Sequence, residues 1–160
     1  MENHLNRPSG ECTNDGLGLY LRLYPDTVLR AICNPVERFD TALADVLDEM
    51  LALMRACGGI GLAGPQVGIP QRLFVAEIDR QALHLVNPVI LAREGRDKRV
   101  EGCLSLPGIQ VNVERDLEIT VQGYDAQGQL CTHHTKGLWA RVIQHEIDHL
   151  NGRLICDHGQ

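Results

Sequence analysis

Residues Gln144-His145-Glu146-Ile147-Asp148-His149 contain the pattern His-Glu-x-x-His. On a helix, residues four apart lie on one face, one turn above the other. His145 and His149 can therefore offer two imidazole nitrogens to a single metal ion. Glu146 stands beside them, placed to take a proton from a water that the metal activates. The pattern points to metal-dependent hydrolysis.

A catalytic site of this kind uses three protein ligands and keeps a position for water. In many metalloproteases the third ligand follows the second His. Only 11 residues follow His149 here (160 − 149 = 11). The longer pattern H-E-x-x-H-x-x-G-x-x-H is met at Gly152 but finds Ile155 where its last His should stand. A third ligand must come from upstream, where Cys103, Cys131, His84, His133 and His134 are available. His133 and His134 point to opposite faces of an expected strand, so at most one could aim inward. Both read more simply as surface polar residues. Cys103 lies in Glu101-Gly102-Cys103-Leu104-Ser105-Leu106-Pro107-Gly108. A lone Cys is usually a small buried hydrophobe, but that default weakens in a Gly- and Pro-containing polar loop.

Several elements must position these groups. Leu43, Val46, Leu47, Met50, Leu51 and Met54 recur with a helical period, predicting a helix from about Thr41 to Cys57. Asp40 or Thr41 can cap it and Gly58-Gly59 stops it. Gly59–Gly68 is too rich in Gly and Pro for a helix. Residues 72–79 and 83–87 read as strands, the second interrupted by Pro88. Glu94–Arg99 reads as a charged, solvated turn. Residues 109–113 and 117–124 alternate like a half-buried strand, with Leu117, Ile119 and Val121 in phase. Asp125-Ala126-Gln127-Gly128 predicts a hairpin turn into 129–134. A final helix is expected from about Gly137 to Asn151, with Thr135 near its start. The order predicts an α+β fold: antiparallel β-sheets packed around a C-terminal helix that carries the His-Glu-x-x-His motif.

The chain of 160 residues is expected to form one catalytic domain, with residues 1–17 a flexible extension. Aromatics make up only 4%, so the core must rest on Leu, Ile, Val and Ala. The formal net charge of −6 argues against a dedicated nucleic-acid binder. No apolar run reaches the roughly 18 residues that a membrane span needs. Six cysteines at irregular spacing, with no secretory signal before them, are expected in a reducing cytoplasm.

Three segments together resemble the peptide deformylase family. They are Gly59–Gln66 (G-x-G-x-A-x-x-Q), Glu101–Ser105 (E-G-C-L-S) and Gln144–His149 (Q-H-E-x-D-H), in the family's order. The resemblance spans about Leu19 to Cys156. It implies removal of the N-formyl group from the initiating methionine of new polypeptides. It makes Cys103, His145 and His149 the metal ligands and Glu146 the general base and then acid. Gln66 and the backbone N–H of Leu104 become the oxyanion donors. The implied metal is Fe(II), with Zn, Ni or Co accepted by the same donors. The resemblance also implies an extended N-formylmethionyl peptide beside Ile60 and Gly102. Gly61 and Gly102 would let its backbone approach, and Leu138 and Val142 would meet the methionine side chain. Asp148 is expected to pair with Arg115.

Two departures stand out. Gly64 replaces a second alanine common in the Gly-rich motif, and little effect is expected of it. Eight residues follow Gly152 (160 − 152 = 8), where many members continue into a longer ribosome-docking helix. Any ribosome contact is therefore expected to be transient. Two readings compete: a deacylase or peptidase acting on another N-acyl peptide, and a catalytically inactive metal-containing binding protein. Glu146 and Gln66 count against the second, since a structural site needs neither.

Overall fold

The computed structural model describes residues 16–158. The extension expected over residues 1–17 lies, up to residue 15, outside them. Helix α1 (Thr41–Ala56) starts where its cap predicts: the Leu43 N–H donates to the Asp40 carboxylate at 3.0 Å. Its stripe of Leu43, Leu47, Met50, Leu51 and Met54 is buried. Strands β1 (Gly61–Ala63), β2 (Leu73–Ile78), β3 (Gln81–Cys103), β4 (Leu106–Tyr124) and β5 (Leu130–Lys136) follow. They form one antiparallel sheet in sequence order, not several. Helix α2 (Leu138–Leu150) closes the α+β arrangement and carries both histidines of the motif.

β2 explains how two helices share this sheet. Successive side chains on a strand point to opposite faces. Leu73 and Val75 join the α1 cluster of Leu47, Met50 and Leu53. Phe74 and Ala76 join Ala140, Val142, Ile143 and Leu150 of α2. The uninterrupted apolar run Leu73–Ala76 is what a strand covered on both faces requires. A fully buried side chain such as Phe74 contributes about 1.5–3 kcal/mol of burial free energy.

Two sequence expectations are corrected. Glu94–Arg99 is strand, not a solvated turn: Arg96 pairs with Asp116, Asp97 with Arg115 and Lys98 with Glu114 across β3 and β4. Opposite charges face each other at these three successive positions, though Glu94 faces Glu118, and Arg96 bridges Asp116 at 3.0 Å. Cross-strand charge pairs hold it where apolar alternation is absent. Pro88 also lies inside β3 instead of ending a strand. The register shifts between Val86 and Val89, so the missing proline N–H falls where the ladder is already broken. Thr135 stays in β5, paired with Ile119, and α2 begins after Gly137.

α2 is fixed to β4 by its own polar side chain. Gln144 Oε1 accepts from the Asp116 N–H at 2.9 Å, and Gln144 Nε2 donates to the Asp116 carbonyl at 2.9 Å. The buried amide thus replaces a missing strand neighbour and sets the rotation of the helix. That rotation decides where His145, Glu146 and His149 face.

Candidate metal centre and cleft

β3 and β4 meet at a short turn, Leu104-Ser105, which leaves Cys103 at the end of β3. Across from it, α2 presents His145 and His149 one turn apart, their ring centroids separated by 5.1 Å. One donor atom from each of Cys103, His145 and His149 lies within 4.8 Å of the others. Cys103 Sγ is 3.4 Å from His149 Nε2. Among the described residues, no other group of three His, Cys, Asp or Glu side chains meets in this way. The remaining upstream candidates stand elsewhere: His84 on β3, and Cys131, His133 and His134 on β5. His134 instead lies against Glu118 and Thr120 on the exposed sheet face.

The donor set fits a divalent cation. His145 Nδ1 donates to Glu101 Oε1 at 2.8 Å, which orients the ring so that Nε2 is the nitrogen that would give up its proton and bind a metal. Burial disfavours a charged His145, but Cys103 and Glu101 as hydrogen-bond partners, with the Glu146 charge, push its pKa up to about 10. For His149, burial and then the charges of His145 and Arg115 drive the pKa well below its ordinary value. Thiolate with two imidazoles suits Fe(II), Co, Ni or Zn.

Glu101, quoted only as part of a motif, proves to be the hub behind His145. Arg115 grips both of its oxygens at 2.8 and 2.9 Å. Arg141 reaches Oε2 at 2.6 Å. Burial would raise the Glu101 pKa, but hydrogen bonds from Arg115 and His145 hold it far below the usual carboxylate range. Arg115 also reaches Asp148 at 2.5 Å, as expected, and Asp148 accepts from His158 at 2.8 Å. Arg141 was not foreseen as a site residue. Its helical position beside Val142 gave the only signal.

Glu146 is 3% exposed, and its Oε2 has no hydrogen-bond partner in the protein. Burial raises its pKa to about 7. Gly61 was expected to admit substrate backbone; its more direct neighbour is Glu146, whose Oε1 lies 2.4 Å from where a Cβ would stand. Gly64 is likewise not neutral. A Cβ there would lie 2.5 Å from the Ile69 carbonyl oxygen, so the departure from alanine allows residues 69–71 to close over this loop.

Gln66 is buried in the short helical turn Gly64–Val67. Its Oε1 accepts from the Ala63 N–H at 2.9 Å, which turns Nε2 toward Ser105 Oγ (3.1 Å) and Cys103 Sγ (3.7 Å). Of these groups, Gln66 and Cys103 border one cleft of about 590 Å³. It is lined by Ile60, Gly61, Gln66, Gly102, Cys103 and Leu104, and on the helix side by Leu138, Val142, His145 and Glu146. His149, 1% exposed, sits behind this lining. Of the metal, catalytic and substrate residues that the resemblance singled out, all but His149 line this one cavity.

Residues 19–160 match the family model described as Polypeptide deformylase. The peptide deformylase of Hydrogenovibrio crunogenus is 45% identical over 139 residues, covering 85% of this chain and 82% of that protein. The crystal structure of peptide deformylase from Thermotoga maritima superposes with a TM-score of 0.87 at 40% identity, covering 89% of this chain and 97% of that one. The Synechococcus elongatus peptide deformylase, solved in complex with actinonin, superposes with a TM-score of 0.88 at 38% identity, covering 92% and 84%. With the Cys-His-His donor set, the buried glutamate and the amide of Gln66 all in place around one cleft, these matches show that the chain belongs to the peptide deformylase family.

Proposed function

We propose that this chain hydrolyses the N-formyl group of the initiating methionine on newly made polypeptides, releasing formate and a free amine. The observation that carries the reading is the convergence on one cleft of three different chemistries. Cys103, His145 and His149 can hold a metal, Glu146 can carry a proton, and Gln66 presents an N–H beside Cys103. A bound divalent metal would polarise the formyl carbonyl and make water acidic enough to attack near neutral pH. We assign Fe(II) to the site, with Zn, Ni and Co as ions the same donors accept.

The protein's own groups do the rest. Glu146 accepts the proton of the attacking water and returns it to the amine as the C–N bond breaks. Such proton transfer is typically worth about 10²–10⁴ in rate. Negative charge develops on the formyl oxygen as the new C–O bond forms. Gln66 Nε2–H and the Leu104 N–H donate to that oxygen, and a donor of this kind typically contributes on the order of 10²–10³ in kcat. The peptide lies extended, pairing with main chain at Ile60 and Gly102. Leu138 and Val142 face the methionine side chain. No helix among the described residues is long and apolar enough to cross a membrane. The substrate reaches the cleft in the cytoplasm, with a transient contact to the ribosome.

The test is an anaerobic assay of the Fe(II)-loaded protein on formyl-Met and acetyl-Met peptides side by side. Formate from the first and no acetate from the second is expected. Equal turnover of both would make it a general deacylase, and turnover of neither a binding protein.

A further inference from the structure

Gln66 can serve as an oxyanion donor only if its amide is held in one orientation. Its backbone is anchored: the Arg22 N–H donates to the Gln66 carbonyl at 2.7 Å. The same extended segment anchors the turn opposite, where the Tyr24 N–H donates to the Ser105 carbonyl at 2.9 Å. Two residues apart, Arg22 and Tyr24 thus stitch together from behind the two stretches that carry Gln66 and Leu104. Within that frame Oε1 of the Gln66 side chain is fixed on the Ala63 N–H, while Nε2 faces Cys103 Sγ at a longer 3.7 Å. A planar amide held only at its oxygen can still pivot about that point. Its NH₂ carries two hydrogens, and Ser105 Oγ, fully buried, accepts one of them at 3.1 Å.

We infer that Ser105 is a positioning residue for deformylation: by accepting one Nε2 hydrogen it stops the amide from pivoting and aims the other into the cleft beside Cys103. Neither hydroxyl nor carbonyl of Ser105 lies in the cleft lining, so it acts through Gln66 and not on substrate. The inference rests on Gln66 donating to the formyl oxygen. A buried amide hydrogen left without an acceptor is costly, so a Gln66 freed from Ser105 turns toward other partners and away from the formyl oxygen.

A double-mutant cycle on a formyl-Met peptide, with NMR of the zinc-loaded protein, tests it. Ser105→Ala should lower kcat by about tenfold, less than complete loss of an oxyanion donor, with KM unchanged within about twofold. Added to Gln66→Ala, it should cost nothing more in kcat, because the group it positions is gone. The Gln66 side-chain amide protons, identified by their disappearance in Gln66→Ala, should exchange slowly with solvent in the parent protein and fast in Ser105→Ala. An unchanged kcat in Ser105→Ala, or an equal loss in the Gln66→Ala background, overturns the role. Fast exchange in the parent protein does so as well, with no variant needed. A parent protein that releases no formate, yet loses Gln66 protection in Ser105→Ala, overturns the deformylase reading and keeps Ser105 as the residue that holds Gln66.

Discussion

Gly61 and Glu146 share a space that only a hydrogen side chain leaves open: a Cβ on Gly61 would lie 2.4 Å from Glu146 Oε1 and 3.0 Å from Val142 Cγ1. Gly61→Ala should therefore displace the carboxylate while leaving Cys103, His145 and His149 undisturbed. The expected outcome is a fall in kcat toward the range of about 10²–10⁴ that removal of a general base causes. Metal content, measured by elemental analysis, should stay at one ion per chain.

Glu146→Gln tests the same carboxylate without the steric change. The variant should retain metal and lose deformylation by at least about 10² in kcat. An active Glu146→Gln protein would show that another group moves the proton.

Cys103→Ala removes the proposed ligand at the end of β3. Metal occupancy after dialysis should drop well below that of the parent protein. Full occupancy in this variant would sink the assignment of Cys103 as the third ligand.

Arg115→Met leaves the buried Glu101 and the half-buried Asp148 with fewer partners. Removing one member of such a buried ionic network typically costs about 3–5 kcal/mol, to be measured by denaturant unfolding of both proteins. A small effect would mean that Arg141 and His145 together sustain Glu101.

The pH dependence of stability should reflect Asp116. Burial works to raise its pKa, but Arg93 and Arg96 outweigh it and hold the carboxylate below its ordinary range. A depressed folded-state pKa contributes stability that is complete above the unfolded value and is lost as pH falls through the folded one. Asp116→Asn should therefore destabilise at neutral pH and less so in acid, compared by denaturant unfolding at about pH 7 and about pH 3. An equal loss at both pH values would assign the effect to packing.

The site was far more legible than the strands around it. His145, Glu146 and His149 announce themselves because helical spacing converts directly into geometry. Cys103 was one of five upstream candidates until the three-segment resemblance singled it out, and Gln66 emerged only with that resemblance, since nothing local says that residues 37 positions apart meet in one cleft. Glu101, Ser105 and Arg141 were overlooked as site residues because what they do is hold another side chain: Ser105 meets Gln66, and Arg141 and His145 meet Glu101. The long β3–β4 ribbon was misread at Glu94–Arg99 for a different reason. Its pairing is carried by facing charges, and such facing is visible only once the register is known. Gly64 was passed over because smallness was counted and the carbonyl of Ile69 could not be.

β2 has a consequence of its own. Phe74 and Val75 are neighbours in the chain, yet one leans on α2 and the other on α1. The strand is a party wall between two rooms, only one of which houses the chemistry. A trimmed side chain at Phe74 would loosen the helix that carries His145, Glu146 and His149. The same trim at Val75 would be felt first by α1. Adjacent positions on a single strand thus offer a matched pair of handles, one tuning the catalytic helix and the other weakening the fold while sparing it.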